Sequence, residues 1–171
     1  MYDLQAVFQL PKGEISVFYY KSKLNVYNFT MFDIQRKTCN CYVWDECNEN
    51  RGANEIGSCV LHYIENLTNT PCKDIIFWSD NCAGQNKNKF MIALYLYAVQ
   101  KYNLDSIAHK FLIKEHTQNE GDSAHSLVER QIKRLLRSGP IYVPDTLVTA
   151  IRMAKKSGQP FCVNELSYND F

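Results

Sequence analysis

Residues 75–79, Ile-Ile-Phe-Trp-Ser, form an apolar run that stops on Asp80 and passes into the amide-rich turn Asn81-Cys82-Ala83-Gly84-Gln85-Asn86. A short continuous run of this kind is the pattern of a strand covered on both faces, as in a parallel sheet with helices above and below. Helical periodicity stands on either side of it. Ile56, Val60, Tyr63, Ile64 and Leu67 recur at helical spacing after the turn Arg51-Gly52-Ala53-Asn54. Lys89 to Tyr102 repeats the period through Met91, Leu94, Tyr95 and Ala98. A strand-helix-strand crossover in one sheet requires parallel pairing, so this stretch predicts an α/β domain.

The chain before it reads differently. Leu4 to Leu10 is a short apolar strand stopped by Pro11 and Gly13. Ile15 to Tyr20 and Leu24 to Phe32 alternate β-branched and aromatic residues as paired strands do, and Cys41 to Trp44 follows as a third antiparallel strand ending on Asp45-Glu46. After the central run, Ala108 to Ile113 predicts another strand and Asp122 to Arg137 a helix with Val128, Ile132, Leu135 and Leu136 inward. Pro140 and Pro144 break the chain, before a last helix over Thr146 to Lys156 and a last strand over Phe161 to Leu166. The expected architecture is one mixed sheet, three antiparallel strands then parallel ones, with helices on both faces. No repeat or low-complexity linker divides the 171 residues, so one domain is expected, with a core over 1–137 and an extension over 138–171.

Composition narrows the function classes. A chain 46% hydrophobic and 22% charged is globular, and its net charge of +1 neither advertises a nucleic acid nor excludes one. The seven cysteines are odd in number and form no C-x-x-C pair, which argues against a disulfide framework or a zinc ribbon and for reduced thiols inside a cell. No run of membrane-spanning length is present.

The element order resembles the ribonuclease H-like fold of ribonuclease H, retroviral integrases and DDE transposases. The motif Ser79-Asp80-Asn81-Cys82-Ala83-Gly84-Gln85-Asn86 also resembles an uncharacterised, transposon-associated domain family. Trp44-Asp45-Glu46, Arg51 to Ile56, and His116 followed by Glu120 to His125 carry the same likeness. The resemblance implies a nuclease or integrase that cleaves or transfers phosphodiester bonds with two divalent ions, Mg²⁺ or Mn²⁺. It also implies DNA ahead of RNA as partner, no membrane, and an intracellular, nuclear setting in what is expected to be a fragment of a longer protein. Self-association is left open. A domesticated descendant that binds nucleic acid or protein without catalysis is the alternative.

Ligands of such sheets gather beyond the carboxyl ends of the parallel strands, where Asp80 stands. The resemblance makes Asp3, on the first strand, and Asp80 the central metal-binding pair. The third acid is Glu129 in the transposase register or Asp122 in the ribonuclease H register, where Glu55 would add a fourth carboxylate. Asp122, His125 and Glu129 are spaced i, i+3, i+7 and share a helix face, so all three are candidate catalytic residues. Simpler roles stay open: Asp122 as a helix N-cap, Glu129 as the i, i+4 partner of Lys133, Asp80 in an Asx-turn, Asp3 as a surface acid. His116 and His125 are candidate proton carriers, and Cys82 with either one is a candidate thiolate nucleophile. His62 and His109 read as structural. Lys87 and Lys89 after the Asp80 turn, and Arg130, Lys133, Arg134 and Arg137 on the late helix, are candidate phosphate contacts, with Lys155 and Lys156 as a further patch.

Overall fold

The computed structural model describes residues 1–67, 72–112 and 120–171. Its strands are β1 (Tyr2–Leu4), β2 (Phe8–Leu10), β3 (Leu24–Asp33), β4 (Thr38–Asp45), β5 (Asp74–Ser79), β6 (Ser106–Phe111) and β7 (Cys162–Glu165). Its helices are α1 (Ala53–Leu67), α2 (Lys89–Tyr102), α3 (Glu120–Leu136) and α4 (Pro144–Arg152). The protein is a mixed α/β structure. β1 and β2 both pair antiparallel with β3, β3 pairs antiparallel with β4, and β7 adds to β4 in parallel.

The first strand is bent where a continuous one was expected. Tyr2 to Leu4 opposes Met31 to Phe29, whereas Phe8 to Leu10 opposes Val26 to Leu24, so the register slips by one residue. The Gln5 N–H still donates to the Asn28 carbonyl, which leaves Ala6 and Val7 together opposite Tyr27. A bulge of one extra residue reverses which face the later side chains take. Tyr2, Leu4 and Val7 therefore join the core under α1 and α2, while Phe8 and Leu10 join the core under α3 and α4. Asp3 and Gln5 are left on the α3 side.

The two cores lie on opposite faces of β3 and β4. Tyr27, Phe29, Met31, Tyr42 and Trp44 pack with Ile56, Cys59, Val60 and Ile64 of α1 and with Met91, Tyr95 and Ala98 of α2. Val26, Cys39, Cys41 and Val43 pack with Val128 and Ile132 of α3 and with Leu147, Val148 and Ile151 of α4.

Three expectations are corrected. Ile15 to Tyr20 is no strand: Ser16–Tyr20 is a 3₁₀ turn with Phe18 buried and Tyr19 and Tyr20 each 84% exposed. β3 already has β1 and β2 on one edge and β4 on the other, so no edge remains beside it for another strand. β5 and β6 form their own parallel pair rather than continuing the hydrogen-bonded ladder of the larger sheet. β5 is also not covered on both faces, since Ile75 and Phe77 face the core while Ile76 is 54% exposed. Ile113, expected to end the last parallel strand, lies outside the described residues.

Local chemistry sets the helix ends. Asn88 caps α2 by accepting from the Phe90 and Met91 N–H groups at 3.0 and 3.1 Å, and Asn103 ends it in the left-handed conformation at φ 50°. Pro144, expected to break the chain, opens α4 at its first position, where its missing N–H costs nothing. The seven cysteines are free thiols, and no described helix is long and apolar enough to cross a membrane.

Side chains rather than a backbone ladder join β1 to the β5–β6 pair. The buried Tyr2 ring meets Phe29, Phe77 and His109 at centroid distances of 5.3, 5.8 and 5.4 Å. Its hydroxyl lies 3.1 Å from the Tyr95 hydroxyl and 3.2 Å from His109 Nε2, which is itself 2.9 Å from Ser79 Oγ. Tyr2→Ala should cost about 3–5 kcal/mol in urea unfolding, and Tyr2→Phe about 1–3 kcal/mol, because His109, Tyr95 and Ser79 lose a shared partner. Deleting the exposed Ala6 should abolish cooperative unfolding, since it turns either Tyr2 and Leu4 or Phe8 and Leu10 to the wrong face, while Ala6→Ser should be neutral. Circular dichroism of the variants on heating checks this.

Candidate functional site

Asp3 reaches the α3 side of the sheet because Tyr2 and Leu4 take the other. Asp122, in the first turn of α3, and His125, one turn later, descend on it from above. Asp3, Asp122 and His125 each present a ligand atom such that all three atoms lie within 4.8 Å of one another. Asp122 is inside the helix rather than its cap, because α3 begins at Glu120.

The imidazole is held from two sides. His125 Nε2 lies 3.0 Å from the Thr30 hydroxyl, and Nδ1 lies 3.8 Å from Asp3 Oδ2. Below the same turn, Gln5 Nε2 donates to the His125 carbonyl and Asn28 Nδ2 donates to Gln5 Oε1, so a buried polar row from β3 through Gln5 fixes the start of α3. Burial pushes the imidazole pKa down to about 4, against the opposing pull of Asp122 and Glu129. The ring is therefore neutral near pH 7, and its approach to Asp3 is a contact rather than an ion pair.

Asp3 is pushed the other way. Burial and then the charges of Asp122 and Asp80 raise its carboxyl to about 7, while a hydrogen bond from the Leu4 N–H works against them. The charges that act on Asp3 are thus both negative. Asp80 is half-buried at the end of β5, and its Oδ1 accepts from the Cys82 N–H at 3.3 Å and from Asn86 Nδ2. The turn that follows is wound on Cys82, whose carbonyl accepts from the Gln85, Asn86 and Lys87 N–H groups.

The other candidates stand elsewhere. Glu129 is exposed, two turns along α3, and lines a shallow cleft with Ala6, Val7 and Lys133. Glu55 is buried, and its carboxylate accepts from the Gly52 N–H, closing the start of α1. Asp45 holds a tight turn through Cys47 and Asn48. Both ring nitrogens of His125 face Thr30 or Asp3 rather than Cys82, and His116 lies outside the described residues. His109 is hydrogen-bonded at both nitrogens, through Tyr2 and Ser79 on one and Tyr95 on the other.

The basic residues divide into three groups. Arg130 and Arg134 share a cleft with Lys155 and Lys156; Lys133 and Arg137 share one with Lys12; Lys87 and Lys89 flank a cavity between α2 and β6. The supporting residues Gln5, Asn28 and Thr30 escaped sequence reasoning. Their signal was present: Asn28 and Thr30 are polar at alternate positions between Tyr27, Phe29 and Met31, which is odd for a strand buried on both faces.

Comparison with curated proteins and with solved structures found no match. A family model described as a domain of unknown function (DUF7869) matches residues 22–165, a span that includes Asp80, Asp122 and His125 and begins after Asp3. The chain belongs to that family, an uncharacterised domain family whose span takes in most of both cores and the α3 side of this site.

Proposed function

We propose that the chain is a ribonuclease H-like domain of transposon origin that cleaves or transfers phosphodiester bonds of DNA with bound Mg²⁺ or Mn²⁺. One observation carries this reading: Asp3, Asp122 and His125 converge within 4.8 Å while the Asp80 charge bears on Asp3. Two converging carboxylates under the charge of a third, Asp80 at the end of a parallel strand, are unfavourable for the protein alone and suited to a cation. The element order, antiparallel strands followed by a helix-linked parallel pair, supports the ribonuclease H-like architecture.

The donor set fits the group. Asp3, Asp80 and Asp122 would supply the hard oxygens that Mg²⁺ and Mn²⁺ prefer, and an imidazole in the set favours Mn²⁺ of the two. When bound, such ions activate the attacking oxygen and stabilise the leaving one. His125 is neutral near pH 7, so its Nδ1 lone pair beside Asp3 would be free for the ion, with Thr30 holding the ring through Nε2. Asp122 is the third acid in this reading, and Glu129 acts only on the charge of His125 at a distance. The clefts at Arg130 and Arg134 and at Lys133 and Arg137 would hold phosphates to either side.

Cleavage of a labelled DNA duplex in Mn²⁺, with an RNA–DNA hybrid alongside, tests the assignment. Asp80→Asn and Asp122→Asn should each reduce the rate by at least about 10²-fold, a loss of the order that follows from removing one group stabilising transition-state charge. Glu129→Gln should retain most of it. Mn²⁺ at about 100 times its dissociation constant should stabilise the wild type by about 2.7 kcal/mol and leave Asp80→Asn and Asp122→Asn unchanged. Full cleavage by both aspartate variants would remove the reading, and Mn²⁺ stabilisation without cleavage would favour the catalytically silent binding module.

Asp3 gives a second test through pH. Its folded pKa of about 7 stands above the 3.8 of a free aspartate, so its contribution to stability is complete below the lower value and is lost as pH rises through the upper one. Asp3→Asn removes that loss. Without metal the variant should be more stable than wild type near pH 8, by at most about 4 kcal/mol, and the advantage should shrink towards pH 5. Its side chain keeps 24% exposure, so solvent screening brings the gain below that limit. His125 has the opposite sign, losing stability as pH falls from 6.5 through about 4, so the comparison is made between variants at one pH. The same substitution should abolish the Mn²⁺ response, and differential scanning calorimetry reads both effects.

A further inference from the structure

α2 is apolar on more than the side that faces the core. Ile92 and Leu96 are 62% and 65% exposed, and with Val99 they form one wall of a cavity of about 650 Å³. Ile107 and Phe111 of β6 form the opposite wall. Lys87 and Lys89 stand at the cavity, with the Lys87 ammonium 5.3 Å from the Phe111 ring centroid. Residue 86 joins this cavity to the carboxylates. Asn86 lines it, is 4% exposed and donates through Nδ2 to Asp80.

These features together describe the occupant. It has a flat apolar body for the space between α2 and Phe111 and negative charge for Lys87 and Lys89. A nucleotide has both, since every base carries a π-face that stacks on aromatic residues and every phosphate is anionic. We propose that the cavity between α2 and β6 is a subsite that captures one unstacked nucleobase of the strand passing Asp80, with Lys87 and Lys89 on the flanking phosphates. The identity of the strand rests on the function proposed above, but base capture itself needs neither metal nor cleavage. Asn86 then lies between base and carboxylate, lining the cavity and donating to Asp80. A substrate base in the cavity fixes which phosphate lies at the carboxylates.

The test uses the full chain in EDTA and a single-stranded oligonucleotide carrying one 2-aminopurine, whose fluorescence rises when it leaves the stack. Wild type and Asp122→Asn should both give the rise on binding. Leu96→Glu, at an exposed wall position, should weaken it by about tenfold, the order expected for loss of one base contact. Gln100→Glu adds the same charge one turn further along α2, outside the cavity lining, and should leave it unchanged. The rise with this variant pattern supports the subsite even if no duplex is cleaved in Mn²⁺, in which case only the nuclease reading falls. Binding without a rise, a rise that Leu96→Glu and Gln100→Glu affect equally, or no binding at all overturns the subsite even where cleavage is seen.

Discussion

The fold turns on the burial of one tyrosine at the second position of the chain. Tyr2 is fully enclosed between β3, the β5–β6 pair and α2, and its ring and hydroxyl do the joining that backbone hydrogen bonds do elsewhere in the sheet. Aromatic contacts of this kind contribute about 0.5–1.5 kcal/mol each beyond the area they bury. The hydroxyl is satisfied within a buried set of His109, Tyr95 and Ser79, so the polar tip is not a liability. Because successive strand residues point to opposite faces, anchoring Tyr2 fixes Asp3 on the α3 side. The position of the candidate metal ligand is thus a by-product of core packing.

The bulge at Ala6 and Val7 resolves a conflict between the two halves of the first strand. Asp3 and Gln5 must reach α3, while Phe8 and Leu10 must fill the core under α3 and α4, and strict alternation would put odd and even residues on different faces. One extra residue lets both halves serve the same layer. Gln5 links the halves, accepting from Asn28 and donating to the His125 carbonyl, so the bend in β1–β2 and the start of α3 are tied by one side chain.

Much of this was readable in advance, for physical reasons. The span of α2 follows from a helical period bounded by polar residues, the central run from its unbroken apolar stretch, and Asp80 stands where that strand gives way to a turn. β4, by contrast, extends three residues earlier than its apolar part, Cys41 to Trp44, announces. The bulge was not readable, because Leu4 to Leu10 is apolar enough to suit either face. Ile15 to Tyr20 misled because alternation shows that a stretch could be a strand, not that an edge is available for it. The split between β5 and the larger sheet was equally invisible: Ile76 is apolar yet exposed, and hydrophobicity alone does not say which neighbour covers it. Of the candidate acids, Glu55 shows the ambiguity best, since a glutamate three residues after Gly52 serves a helix start as naturally as a cation.

The approach of Asp122 to Asp3 has a mechanical side. α3 is held to the sheet along its length by Val128, Ile132 and the apolar residues below them, but at its first turn two carboxylates confront each other across the gap between layers. That end of the helix is a loaded joint: apolar cohesion clamps one part while like charge pries at the other. The Gln5 and Thr30 hydrogen bonds hold the joint shut against that charge, and a cation between Asp3 and Asp122 would relieve the load without touching a single apolar contact.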